Sequence, residues 1–236
     1  MKKIIIPALL LGATFFLSCH KSTQVASHCN LSAIKVTGGY TGTYLMSYNG
    51  NGQLSVVKYS DASTSWTRNF TYGKDLIVAN TTGSSTVTDS VYLNANGDVD
   101  HIVDRQPPNS VTTTTMTYNS NRRLSQVVLQ SGASMPLTTT YQYVNGDLIQ
   151  ADQDGTTVVY TYYTDKTSAQ GGLVELAQWL EYGVIYQKSA HLVKAYGYNH
   201  PDEQVGYTFD GGGKIASMTS GNGSALTTFN YSYDCH

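Results

Sequence analysis

Oxygen-bearing side chains alternate along Asn94-Ala-Asn96-Gly97-Asp98-Val-Asp100, a spacing with which a loop can wrap a hard cation such as Ca²⁺. The run lacks the later Glu that completes a calcium loop, and Asp152-Gln-Asp154-Gly155 lacks it too. Asn-Gly-Asp is also what a tight hairpin turn needs, so a turn is expected here and no metal. Nucleophilic catalysis finds little support. No Gly-x-Ser-x-Gly elbow occurs, and the six His fall in no triad pattern. His191 and His200 are the two to watch as general bases, although surface or capping roles are commoner for His. Gly213-Lys214 has Thr208 where a phosphate loop needs Gly, which makes it a turn. Only Glu175, Glu181 and Glu203 represent their type, and a pair of hydrolytic carboxylates depends on proximity in space rather than in sequence. No cofactor is expected.

Tyrosine is the other chemically notable residue, with 19 copies against five Phe and two Trp. By alternation Tyr141 and Tyr143 share one strand face, and Phe229, Tyr231 and Tyr233 share another. Stacked rings with polar tips could form a platform for a sugar, lipid or peptide, and Tyr141, Tyr143, Tyr231 and Tyr233 are the candidate binding face. Cross-strand packing is the commoner use of such residues. Arg122-Arg123 sits in a turn and reads as solvated.

The elements that would position these residues follow from a repeat. An aromatic or Leu, a run of Asn, Gly and Asp, and an aliphatic residue recur at Tyr48–Leu54, Leu93–Val99, Tyr118–Leu124 and Phe209–Ile215, with shorter copies at Tyr72–Leu76 and Tyr143–Leu148. A fixed period carrying a hairpin turn is the signature of an all-β array. Turns at the opposite ends are marked by Asp61-Ala-Ser-Thr, Thr82-Gly-Ser-Ser, Gln106-Pro-Pro-Asn, Ser131-Gly-Ala-Ser and Gly221-Asn-Gly-Ser. Alternation puts Leu124 and Val128 on one face of their strand and Val127 and Leu129 on the other. The repeat lapses between Thr164 and Glu203. Within that gap Leu173, Leu176, Ala177 and Leu180 have the spacing of one amphipathic helix, with Glu175, Gln178 and Glu181 pointing elsewhere. Gly171-Gly172 and Gly183 bracket it. Such a helix covers an apolar face or plugs a barrel end, with a functional lid as the rival reading. The fold expected is all-β: an antiparallel repeat-hairpin sheet of about 12 to 15 strands, curved or closed into a barrel-like shape, with one short inserted helix.

Composition and the N-terminus bound the setting. Charged residues make up 13% of the chain and the formal net charge is −2, which gives no reason to propose nucleic acid as partner. Lys2 and Lys3 precede an apolar run from Ile4 to Leu17, too short to span a bilayer comfortably and fitting an export signal. The run ends in Phe16-Leu-Ser-Cys19, which resembles the lipobox of bacterial lipoproteins, with Phe16 where Leu is usual. That resemblance implies acylation of Cys19, with plain secretory cleavage as the alternative. Residues 1–19 then form the signal and lipobox, 20–30 a tether, and 31–236 a single β domain. His20 follows the Cys, and no acidic run follows it, so the expected place is the cell envelope: lipid-anchored to the outer membrane and facing the periplasm. Cys29 and Cys235 flank the first and last strands in a chain bound for an oxidising compartment. They form a disulfide if the array curls until its ends meet. A metal site with His28 and His236 is the rival, and free thiols are the outcome for an open sheet.

Tyr207-Thr-Phe-Asp-Gly-Gly-Gly-Lys-Ile215 resembles the YD-repeat unit of Rhs-type proteins. The layout from Gly38 to Asp234, with Lys188-Ser-Ala-His-Leu-Val-Lys194 after the helix, is similar to a Bacteroidota lipoprotein family of unknown function with a porin-like β fold. The resemblance implies a fold and no catalytic residues. A membrane-spanning porin is not expected, since Thr, Ser and Asn occur on both strand faces and leave no apolar belt for lipid. The function expected is non-enzymatic binding or scaffolding at the envelope, with carriage of a lipid or amphiphile and an envelope hydrolase as alternatives. Partners would be the membrane through the anchor and a small amphiphile, a glycan or an envelope protein.

Overall fold

The computed structural model describes residues 29–235 apart from Ser85, Pro107, Asn109 and Ser224. The signal segment, Cys19, His28 and His236 lie outside the described residues. Sixteen strands follow one another: β1 (Cys29–Thr37), β2 (Gly42–Tyr48), β3 (Leu54–Ser60), β4 (Ser65–Tyr72), β5 (Leu76–Gly83), β6 (Val87–Leu93), β7 (Val99–Gln106) and β8 (Ser110–Tyr118) form the first half. The second half comprises β9 (Leu124–Ser131), β10 (Leu137–Val144), β11 (Asp147–Gln153), β12 (Thr156–Thr167), β13 (His191–Tyr198), β14 (Glu203–Phe209), β15 (Ile215–Asn222) and β16 (Ala225–Cys235). One helix, α1 (Leu173–Tyr182), lies between β12 and β13. Each strand pairs antiparallel with its sequence neighbours, and β1 pairs with β16 to close the barrel. The count exceeds the 12 to 15 strands expected, because most strands are seven to nine residues and the turns between them are short.

The recurring phrase builds one hairpin several times. In four copies the first polar residue (Asn49, Asn94, Asn119 or Asp210) accepts backbone N–H groups through its side chain, and the residue three later bonds back to its carbonyl. That fourth position has positive φ, at Gly52, Gly97, Arg122 and Gly213. A β-bulge follows each of these turns. Tyr48 faces Leu54 while Ser47 faces Val56, and the same skip recurs at Leu93/Val99, Tyr118/Leu124, Tyr143/Leu148 and Phe209/Ile215. The skipped Ser55 and Ser125 donate their hydroxyls to the Ser47 and Thr117 carbonyls across the strand, each at 3.0 Å.

The bulge changes which residues point inward. Leu54 and Val57 are both buried, as are Val99 and Ile102, and Ile215 and Met218. An i, i+3 spacing thus lines a strand face that strict alternation would place at i, i+2. This corrects the face assignment in β9: Leu124 and Val127 point the same way, because Ser125 is the extra residue between them. The inward rows are mostly aliphatic and aromatic. The outward rows read Asn69 and Thr71 on β4, Thr115 and Thr117 on β8, Asn230 and Ser232 on β16, with Lys58 and Lys194 exposed on β3 and β13. Burying a Leu or Val inside contributes about 1.5–3 kcal/mol each, and that row, not the outer wall, holds the barrel together.

Residues 168–190 fold back into the lumen. Gly172 is the N-cap of α1 and Gly183, at φ 69°, its C-cap, matching the glycines that bracket the helical pattern. The Tyr231 hydroxyl donates to the Gly171 carbonyl at 2.9 Å at the start, and the Tyr72 hydroxyl donates to the Gly183 carbonyl at 3.2 Å at the end. The helix therefore crosses the lumen from the β14–β16 wall to the β4–β5 wall. The amphipathic reading is inverted in one respect. Glu175 and Gln178, from the polar face, are buried, whereas Ala177, from the apolar stripe, is exposed. The return loop explains this. Gln178 accepts the Tyr186 and Gln187 N–H groups at 3.0 and 2.8 Å and donates to the Val174 and Gln187 carbonyls. Glu175 accepts from the Ser168 hydroxyl at 2.6 Å.

Candidate functional site

The end of the barrel opposite the chain termini carries the turns after β1, β11, β13 and β15, and there the lumen opens into a vestibule of about 680 Å³. This falls within the usual range for small-ligand sites, roughly 300–1,000 Å³. Its walls are aromatic. Tyr160 and Tyr196 stack with centroids 6.3 Å apart and planes 21° apart, and Tyr40 meets Phe229 edge-on at 6.3 Å. Asp202 and Glu203 supply carboxylates at the rim. Asp202 reaches the wall because the turn after β13 folds tightly over Gly197, where an added Cβ would stand 2.2 Å from the Asp202 carboxylate and from the His200 carbonyl.

Beneath the vestibule lies a second cavity of about 190 Å³, sharing Tyr40, Leu173 and Phe229 as walls. Ile34, Tyr44 and Met218 line its sides, and Leu176, Ala177 and Leu180 of α1 form its floor. The apolar stripe of the helix is thus turned toward empty space, while its polar face is locked to residues 186–189. Burial raises the Tyr44 and Tyr160 hydroxyls above their ordinary pKa, so both remain hydrogen-bond donors at neutral pH. Together the two cavities offer a largely apolar chamber below an aromatic mouth with two acidic groups.

The residues singled out from sequence are distributed elsewhere. Tyr141, Tyr231 and Tyr233 pack into the core of the lumen, and Tyr143 lies against the Arg123 guanidinium. Tyr231 is buried under the start of the plug, and the Tyr233 hydroxyl donates to the Ile215 carbonyl at 2.9 Å. Burial pushes Tyr141 and Tyr233 up to about 12. Cys29 and Cys235 are joined by a disulfide at the β1–β16 seam. His191 donates its backbone N–H to Asp147 at 2.8 Å and pairs its Nδ1 with the same carboxylate at 2.9 Å, which fixes the β10–β11 turn to the start of β13. Among the described residues no hydrogen bond reaches its other ring nitrogen. His200 is exposed in the turn beyond the vestibule. The oxygens of the Asn94–Asp100 run are engaged: Asn94 Oδ1 accepts two backbone N–H groups, and both oxygens of Asp98 accept from Arg122, at 3.0 and 2.8 Å. Among the described residues no three His, Cys, Asp or Glu gather as a metal site. Arg122 is largely exposed in its turn, as expected, and also pairs with Asp98.

Tyr40, Tyr160 and Tyr196 carry no sequence motif that marks them as site residues. The signal available for them was the glycine at Gly197 and Gly221, which thins the wall between aromatic strands. Deeper in the wall of the lumen, Arg68 and Asp89 form a buried ion pair, with Thr81 accepting from Arg68 at 2.7 Å. Burial pushes the Asp89 carboxyl up to about 6, Arg68 opposing this and the facing Asp104 adding to it.

No protein-family model matches the sequence, and no curated protein does either. Solved structures do. A porin-like protein from Bacteroides uniformis superposes with a TM-score of 0.66 over 86% of this chain and 96% of its own, at 16% identity. A porin-like protein from Bacteroides vulgatus gives 0.57 over 86% and 98%, at 14% identity. The likeness is one of fold. Both neighbours span nearly their whole length on this barrel, so the architecture is shared as a unit.

Proposed function

We propose that this chain is a non-enzymatic, water-surrounded barrel of the cell envelope that holds a single-chain amphiphile, tail on the floor of the helix and head in the aromatic vestibule. The observation that carries this reading is the orientation of α1. Its polar face is consumed by Gln178 and Glu175, and its apolar stripe faces an empty aliphatic chamber under an aromatic mouth. Within that stripe Leu176 is buried, while Ala177 stays exposed at the chamber floor, a gap that a helix serving only to fill the core would not leave. Asp202 and Glu203 at the rim favour a head group that donates hydrogen bonds or carries positive charge, and disfavour a carboxylate. Acylation of Cys19 and a periplasm-facing position complete the reading. The polar outward rows support a barrel that stands in water on its anchor instead of spanning lipid.

Calorimetric titration with dodecylamine and with laurate tests it. Dodecylamine is expected to bind saturably and laurate at least ten-fold more weakly. Ala177→Trp, which fills the chamber from its floor, is expected to abolish binding while leaving the far-UV spectrum unchanged. Equal binding by Ala177→Trp and the parent chain, or no saturable heat with either ligand, would overturn the assignment.

A further inference from the structure

At the opposite end of the barrel, where the chain enters at Cys29, a small enclosed cavity of about 210 Å³ lies between two hairpins and the return loop of the plug. Arg122, Arg123 and Lys188 reach it, as do Tyr118 and Asp98. Five buried side-chain polar atoms among the described residues have no hydrogen-bond partner; two of them, Arg123 Nη1 and Tyr118 Oη, belong to residues that line this cavity, and a third, Tyr143 Oη, belongs to the ring beside Arg123. The Arg123 guanidinium stands 5.5 Å from the centre of the Tyr143 ring, and the Val99 amide lies near the Tyr118 hydroxyl without closing a regular hydrogen bond. An unsatisfied buried polar group is costly, and a charged one more so, so two such donors on the wall of one cavity mark a missing acceptor.

The charges agree. Asp98 is neutralised by Arg122, which it binds through both oxygens. Neither Arg123 nor Lys188 has a carboxylate in ion-pair contact among the described residues. Arg123 is also held in place. Its guanidinium packs against Gly146 in the turn between β10 and β11, where an added Cβ would stand 2.9 Å from Nη2. A fixed guanidinium fork, an ammonium and a phenolic donor around a small cavity suit a compact anion with several acceptor oxygens. We propose that this cavity binds a phosphate group, with the Arg123 fork as its principal ligand and Lys188 and Tyr118 completing the cradle. The site is separate from the amphiphile chamber, which lies on the other side of α1. It sits at the end of the barrel from which the N-terminal segment departs. Free phosphate and a phospholipid head group share the chemistry.

The test uses the full chain carrying Cys19→Ser, so that no acyl group contributes to membrane binding. Inorganic phosphate is titrated at constant ionic strength, and co-sedimentation is measured with vesicles of phosphatidic acid in phosphatidylcholine and of phosphatidylcholine alone. Saturable phosphate binding is expected, weakened at least ten-fold by Arg123→Ala and at least three-fold by Lys188→Ala. Arg105→Ala, an exposed arginine elsewhere, should leave it unchanged. Arg123→Lys keeps the charge and loses the fork, and is expected to weaken binding at least three-fold in a chain that melts like the parent. Phosphate binding without sedimentation assigns the free ion. Sedimentation with phosphatidic acid that inorganic phosphate competes away assigns the head group. No saturable binding by the parent chain in either arm overturns the proposal, as does binding that Arg123→Ala and Arg123→Lys leave intact.

Discussion

Replacing Gln178 by Met keeps the volume and removes four hydrogen bonds at a residue that is 7% exposed. The Tyr186 and Gln187 N–H groups then lose their acceptor inside the barrel. Each orphaned donor costs about 1–3 kcal/mol, so the substitution should destabilise by about 2–6 kcal/mol in all. The barrel wall makes none of these contacts. The loss therefore falls on the plug, and once it exceeds the free energy of local opening residues 168–190 release before the strands do. Hydrogen exchange separates the two events. Tyr186 and Gln187 should lose protection by two to three orders of magnitude, while strand amides such as Val57 and Val91 keep theirs. Gln178→Glu retains the acceptor oxygens and should keep most of the protection of these two amides at neutral pH. If Gln178→Met leaves both amides protected and costs under about 0.5 kcal/mol, the polar face of the helix is not what anchors the plug, and the argument for a free apolar face fails with it.

Three further outcomes follow from the same geometry. Arg122 has φ 57° in a position where three sister hairpins have Gly, so Arg122→Gly should regain about 1 kcal/mol of backbone strain and lose a largely exposed ion pair of similar worth, leaving urea midpoints nearly unchanged, whereas Arg122→Ala should destabilise. Asp89 titrates near 6 in the folded barrel against about 3.9 when unfolded; the folded state binds more protons in that window, so stability should fall as pH rises from about 4 to 6 and level off above, a slope that Asp89→Asn removes even as it destabilises by stranding Arg68. Non-reducing peptide mapping should return a Cys29–Cys235 peptide, and replacing both by Ser should cost up to about 5 kcal/mol in urea, given a separation of 206 residues.

The hairpins were legible because turn chemistry is local: Asn49, Asn94, Asn119 and Asp210 bond to atoms within four residues, and those letters specify them. The helix ends were legible for the same reason, being set by Gly172 and Gly183. The bulges were not recognised. Their trace was present, as the aliphatic pairs Leu54/Val57, Val99/Ile102 and Ile215/Met218 after each turn, but an i, i+3 pair reads as helix or noise unless the skipped residue is known. The candidate sites were least legible. Which face of α1 is buried depends on where Tyr186 and Gln187 return, and the isolation of Arg123 depends on Gly146, which belongs to another hairpin. Amphipathic spacing identifies two faces and cannot say which one meets the wall.

The closure of the barrel has a kinetic consequence. Every ladder except one joins strands adjacent in sequence, and these can form as the chain lengthens. The ladder between β1 and β16 joins residues about two hundred positions apart, and its loop-closure entropy must be overcome in a single late step. Until then β1 and β16 are bare edges, ready to pair with another copy of the chain. Folding of this protein should therefore run as a fast zippering of hairpins followed by one slow, concentration-sensitive event. The bond between Cys29 and Cys235 would then serve as a record that the right edges met.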